Sequence, residues 1–230
     1  MLNFTPQELN AIFLSLKIAS IAVILALPLA IWVAWILSRK QFWGKSILNG
    51  IVHLPLVLPP VVIGYLLLIS MAKRGVIGQY LWNWFEFSFS FSWKGAVLAS
   101  MVMAFPLMVR SIRLALDAVD TKLEQAARTL GASPLKVFFT LNLPLSFSGI
   151  VAGAVLGFAR SLGEFGATIT FVSNIPNQTQ TIPAALFTFI ETPDGEMAAA
   201  RLCLVAITIS LIALFCSEWL AERQKRYAKT

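Results

Sequence analysis

Five apolar stretches, each about 20 residues or more, divide this chain, and no other feature narrows its possible folds so far. An α-helix rises about 1.5 Å per residue, so each stretch is long enough to cross a hydrocarbon layer of roughly 30 Å. Composition agrees: 58% of the 230 residues are hydrophobic and only 13% are charged, too little polar sequence to wrap a water-soluble core. The spacing predicts spans at about 11–37, 47–71, 93–116, 149–172 and 198–220, in one membrane domain covering residues 1–230. The first stretch lacks a basic leader, outruns the apolar part of a signal peptide and ends in Ser38-Arg39-Lys40, so it is read as a retained helix.

Five spans put the termini on opposite sides, and the basic residues decide which is which. Arg39, Lys40, Lys45, Arg110, Arg113, Lys122, Arg128, Lys136, Arg223, Lys225, Arg226 and Lys229 fall in one set of loops, and only Lys73, Arg74 and Lys94 in the other. The richer set is expected in the cytoplasm, with the amino terminus outside and the carboxyl terminus inside. The net charge of +7 is then a topology signal, and it requires no nucleic-acid partner.

Two segments depart from simple spans. Pro55, Pro59 and Pro60 interrupt the second, and each removes a backbone donor, so a kink or local unwinding is expected. On the outer side, 181–190 is apolar but only about ten residues long, which predicts either a re-entrant helix buried in protein or a helix lying flat at the interface.

The polar stretch 124–144, EQAARTLGASPLKVFFTLNLP, lies between the third and fourth spans. Thr121 and Glu124 have the spacing of a capping box, and Leu123, Ala126, Ala127 and Leu130 share one helical face. Gly131 is placed to end that helix with positive φ, and Ser133-Pro134 to begin a second one running towards Pro144. A helix, a tight turn and another helix are therefore expected on the cytoplasmic face, within a loop of about 117–147.

The spacing Ala126-Ala127, Gly131, Leu143-Pro144 resembles the EAA loop of ABC importer permeases. The run from Gly157 to Thr168 (GFARSLGEFGAT), with 171–176 (FVSNIP) and 180–183 (QTIP), resembles the permease subunits of molybdate importers, and sulfate permeases share a looser version. The resemblance implies an all-α fold of the type I importer permease class. It also implies a homodimer around a central pathway, driven by separate ABC ATPase subunits and fed by an extracytoplasmic oxyanion-binding protein, in the inner membrane. ATP would be bound by the partner, and no cofactor by this chain. The chain itself lacks a G-x-x-x-x-G-K-[ST] phosphate loop. By the same resemblance Glu124, Gln125, Ala126, Ala127, Leu130, Gly131, Ala132, Ser133, Pro134, Leu143 and Pro144 would contact the ATPase. The glutamate that the motif carries six residues before the glycine is replaced here by Gln125, and Glu124 sits one residue earlier.

Within the spans, Arg160 and Glu164 stand four residues apart, so they either pair with each other or present charge to a passing dianion. Arg201 either attracts an anion or pairs with Glu191, Asp194 or Glu196. Cys203 and Cys216 fall on opposite helix faces and are read as buried packing residues, while His53 has no acidic or thiol neighbours at ligand spacing, so no metal is expected. A sulfate or thiosulfate permease is the nearest alternative. A channel or secondary transporter would favour paired inverted repeats, and a membrane enzyme would need a convergent catalytic set; neither is present.

Overall fold

The computed structural model describes residues 4–227. Lys229 and the side chains of Arg223, Lys225 and Arg226, counted above with the cytoplasmic set, lie outside the described residues. All regular structure among those residues is helical: α1 (Pro6–Arg39), α2 (Lys45–Val57), α3 (Pro60–Met71), α4 (Gly78–Phe85), α5 (Trp93–Asp117), α6 (Thr121–Thr129), α7 (Pro134–Val137), a π-helical turn (Phe138–Asn142), α8 (Leu143–Leu145), α9 (Phe147–Leu162), α10 (Gly166–Val172), α11 (Ile182–Glu191) and α12 (Glu196–Tyr227).

The helices pack through small residues. Along α1, Ala11, Ala19, Ala22, Ala26, Ala30 and Ala34 are all buried and recur every three, four or eight residues, so one flank of the helix is a smooth groove. α5 lies in it. On its other flank α5 receives α9 at Gly149, Gly153 and Gly157; a Cβ built on Gly149 would sit 2.2 Å from the Ala115 side chain, and one on Gly157 would sit 2.7 Å from Met108 Sδ. In lipid, where apolar surface gains little by leaving its solvent, this close approach is what dispersion and backbone contact require.

Among the described residues three helices, α1, α5 and the Glu196–Cys216 part of α12, are long and apolar enough to cross a bilayer unaided. Two bent pairs bring the total to five if each forms one crossing: α2 with α3, bent by 112°, and Pro134–Leu145 with α9, bent by 69°. The proline-rich span is thus broken and not merely kinked. Leu58 and Pro59 are extended, and the bend delivers α3 onto α10, where a Cβ on Gly64 would fall 2.5 Å from the Ala167 carbonyl oxygen and one on Gly166 would fall 2.8 Å from Pro60.

The stretch 149–172 is likewise not one helix. α9 stops at Leu162, and Glu164 accepts a hydrogen bond from Ala167 N at 2.7 Å, capping α10 as a new start. The segment 181–190 does form a helix, α11, packed along one face, with Ile182, Ala184 and Ala185 buried while Phe187 and Ile190 are 47% and 64% exposed. Ile182 N donates to Ser15 Oγ at 2.7 Å, nine residues or roughly 14 Å along α1 from Pro6. Cys203 and Cys216 are exposed, contrary to expectation, because apolar sequence on every side of a helix does not distinguish a lipid-facing flank from a packed one.

Candidate functional site

The connection between α5 and α9 is built from local signals, one of them a residue away from where the sequence suggested. Asp120, and not Thr121, caps α6: Lys122 N donates to Asp120 Oδ1 at 2.9 Å, and Thr121 is already helical. The capping box is therefore not formed, which frees Glu124 for another partner. At the other end Gly131 adopts φ +85°, Gly131 N donates to Arg128 O and Ala132 N to Ala127 O, both at 3.0 Å. This is the Schellman arrangement that closes a helix with a left-handed residue. A Cβ on Gly131 would meet nothing within 4 Å, so only the backbone demands glycine there.

Ser133 caps α7 by accepting from Lys136 N at 3.3 Å, with Pro134 at the first helical position, as the sequence predicts. The second helix does not run straight on to Pro144. It widens into the π turn before α8, and Pro144 needs that change of register, since its ring would collide with the carbonyl of an α-helical preceding turn.

What the turn displays is apolar. Leu123, Leu130, Leu135 and Phe139 are 49%, 89%, 65% and 60% exposed. Gln125, Ala126, Gly131, Ser133, Pro134 and Pro144 are exposed beside them, and Ala127, Ala132 and Leu143 are half-buried. Leucines so exposed next to Lys122, Arg128 and Lys136 make an apolar surface rimmed by positive charge.

Glu124 is the exception among these residues. It is buried, and its carboxylate accepts from Arg39 Nε at 2.5 Å. Arg39 also donates from Nη2 to the carbonyls of Leu116 (2.7 Å) and Val119 (3.1 Å) and from Nη1 to Ser38 Oγ (3.1 Å).

Deeper in the bundle, Arg160 Nη1 lies 2.5 Å from Glu164 Oε2. The pairing foreseen from their spacing is present, although the two residues flank a helix end instead of sharing one helix. Glu164 is almost fully enclosed, whereas the Arg160 side chain is 26% exposed. Arg201 pairs with none of the three acids considered for it. Its Nε and Nη2 reach Glu8 Oε1 and Oε2 at 2.8 and 3.2 Å. Glu8 is fully buried and is further held by Thr5 N at 2.6 Å in a capping box at the start of α1. Sequence reasoning passed over Glu8; the Thr5-Pro6-Gln7-Glu8 cap was readable, but its partner lies 193 residues away.

His53 Nδ1 is 2.8 Å from its own helix's Asn49 carbonyl, and among the described residues no group of three His, Cys, Asp or Glu could hold a metal.

Set beside known proteins, residues 26–226 match the family described as binding-protein-dependent transport system inner membrane component. The chain is 64% identical to the molybdenum transport system permease protein ModB of Haemophilus influenzae over 96% of each chain. It is 61% identical to the protein of the same name from Escherichia coli K12, over 97% of this chain and 98% of that one. A sulfate transport system permease protein, CysT of Salmonella typhimurium, is 33% identical over 95% of this chain and 78% of that protein. Among solved structures, the fold matches a chain of the inward-facing MetNI methionine ABC transporter with a TM-score of 0.72 and 14% identity, covering 94% of this chain and 95% of that one. A chain of a bacterial alginate ABC transporter gives 0.75 and 15%, covering 95% and 80%.

Proposed function

This chain belongs to the binding-protein-dependent transport inner-membrane family, and we propose that it is the permease subunit of a molybdate ABC importer. It is a multi-pass component of the inner membrane and is not itself an enzyme; no cofactor belongs to it. Its complex includes ATPase subunits and a binding protein. The observation that carries the substrate is the identity of 61% and 64% to two molybdenum permeases over nearly the whole chain, against 33% to a sulfate permease.

In this reading two copies surround the pathway, each crossing the membrane five times within one domain, with the amino terminus outside. The 117–147 loop faces the cytoplasm. Its exposed leucines, set by the Gly131 turn, seat in a cleft of each ATPase subunit. Closure of two ATPases on ATP carries the docked loops with them, and the spans pass between inward-open and outward-open arrangements. The dianion meets only weak sites on its way, as conduction requires. Arg160 supplies positive potential at such a site, and Glu164 both positions it and keeps the anion from staying.

The test is ATP hydrolysis by the reconstituted complex in liposomes, with the cognate binding protein loaded with molybdate, tungstate or sulfate. Stimulation by molybdate and tungstate but not by sulfate is expected. Stimulation by sulfate alone would move the chain to the sulfate branch, and failure to recover any ATPase with the permease would undo the assignment of the loop.

A further inference from the structure

Glu124 sits in the loop assigned above to the ATPase, yet its side chain points away from the exposed face. Its side chain is 10% exposed and bound to an arginine whose side chain is 11% exposed, while the neighbouring Gln125 is out in the open. A single guanidinium thereby joins three elements. It belongs to the last residue of α1, holds the carbonyl of Leu116 in the last turn of α5 and that of Val119 in the link that follows, and grips the first turn of α6 through Glu124. Only the planar, five-donor fork of arginine can serve these directions at once, and a pair this shielded from water is little weakened by salt.

We propose that Arg39 is a positioning residue for coupling: it clasps α6 to the ends of α1 and α5, so that a displacement of the docked loop is delivered to the membrane helices. Without it, the motion would be taken up by bending at residues 118–120, the three-residue link between α5 and α6. The one-residue offset of the glutamate from its place in the loop motif then has a physical meaning. The charge serves an internal clasp, and the docking face is left neutral at Gln125. The clasp can also be cut selectively. α1 and α5 remain joined by the alanine groove and by Ser38 Oγ donating to Asp117 Oδ1 at 2.5 Å, so loss of Arg39 loosens α6 while the bundle stays packed.

The inference rests on the docking reading and deepens it, and one experiment separates the two. The complete importer with molybdate-loaded binding protein is placed in liposomes, and ATPase retention, ATP hydrolysis and molybdate uptake are measured together for wild type, Arg39→Gln, Glu124→Gln and Arg39→Lys. Arg39→Gln and Glu124→Gln are expected to keep the ATPase and hydrolyse ATP but to move about fivefold less molybdate per ATP, or worse. Arg39→Lys, which retains a charge opposite Glu124, recovers part of the ratio. An unchanged ratio with the ATPase still bound would overturn the clasp and leave the docking reading intact. Loss of the ATPase from Arg39→Gln alone would also overturn it, because Arg39 would then be shaping the dock. Failure of the wild-type permease to hold an ATPase would remove the docking reading on which the clasp depends.

Discussion

The two ends of α1 are each held by an arginine–glutamate pair, and the pairs are built in opposite senses. At the amino-terminal end the carboxylate is the hub: Glu8, fully buried, gathers the Thr5 backbone and both arms of Arg201 from α12. At the other end the guanidinium is the hub: Arg39 gathers two carbonyls and a serine from the bundle and one carboxylate from a short surface helix. The first joins two long helices and can only fix them. The second joins a long helix to an element whose remaining side chains face outward, and such a joint can pass on a push.

If that contrast holds, the largest effect on stability belongs to the amino-terminal clamp. Arg201→Ala leaves the Glu8 carboxylate without its charge partner in a water-poor site, and the thermal midpoint of the purified protein in detergent should fall by on the order of 10 °C. The double variant Glu8→Ala/Arg201→Ala should recover part of the loss. A midpoint unmoved by Arg201→Ala would show that the clamp fixes nothing.

At the other end the expected losses are functional. Gly131→Val must place a β-branched residue at φ +85°, costing on the order of 1 kcal/mol or more, with no side-chain clash to add to it. The protein should stay folded in the membrane while molybdate uptake falls more than about tenfold, and Gly131→Asn, which tolerates positive φ, should keep most activity. Normal uptake by the valine variant at normal expression would break the link between the turn and transport. The smallest effect on transport is expected at Arg160, read in the double variant Arg160→Gln/Glu164→Gln so that no buried carboxylate is left without its partner: a few-fold loss of uptake with ATPase binding unchanged, since one weak site among several is removed. Uptake equal to wild type would take Arg160 out of the pathway.

How much of this was readable depended on how local each signal is. Gly131, Ser133-Pro134 and the leucines of α6 announce the turn because capping and helical periodicity act within a few residues. The shift of the cap from Thr121 to Asp120 turned on a choice between adjacent residues that both accept well, and Pro144 marks an interruption without saying that the chain would meet it by widening into a π turn. Pro55, Pro59 and Pro60 foretold an interruption but not its 112° angle, which is set by α3 packing on α10. Arg160 and Glu164 were legible as a pair, and Gly163 between them as a helix end was there to be read. Glu8 with Arg201 and Arg39 with Glu124 were not legible, because the tertiary fold brings together residues 193 and 85 positions apart.

The central claim is that the loop around Gly131 is the surface the ATPase covers, and it can be tested at one atom. Leu130, 89% exposed, is replaced by cysteine in a Cys203→Ser/Cys216→Ser background, and its labelling by a membrane-impermeant thiol reagent is followed in detergent with and without the purified ATPase. The account predicts rapid labelling of the permease alone and strong protection in the complex, while a cysteine at Trp43, 99% exposed beyond the end of α1, labels equally in both. Equal labelling of Leu130→Cys with and without bound ATPase would contradict it.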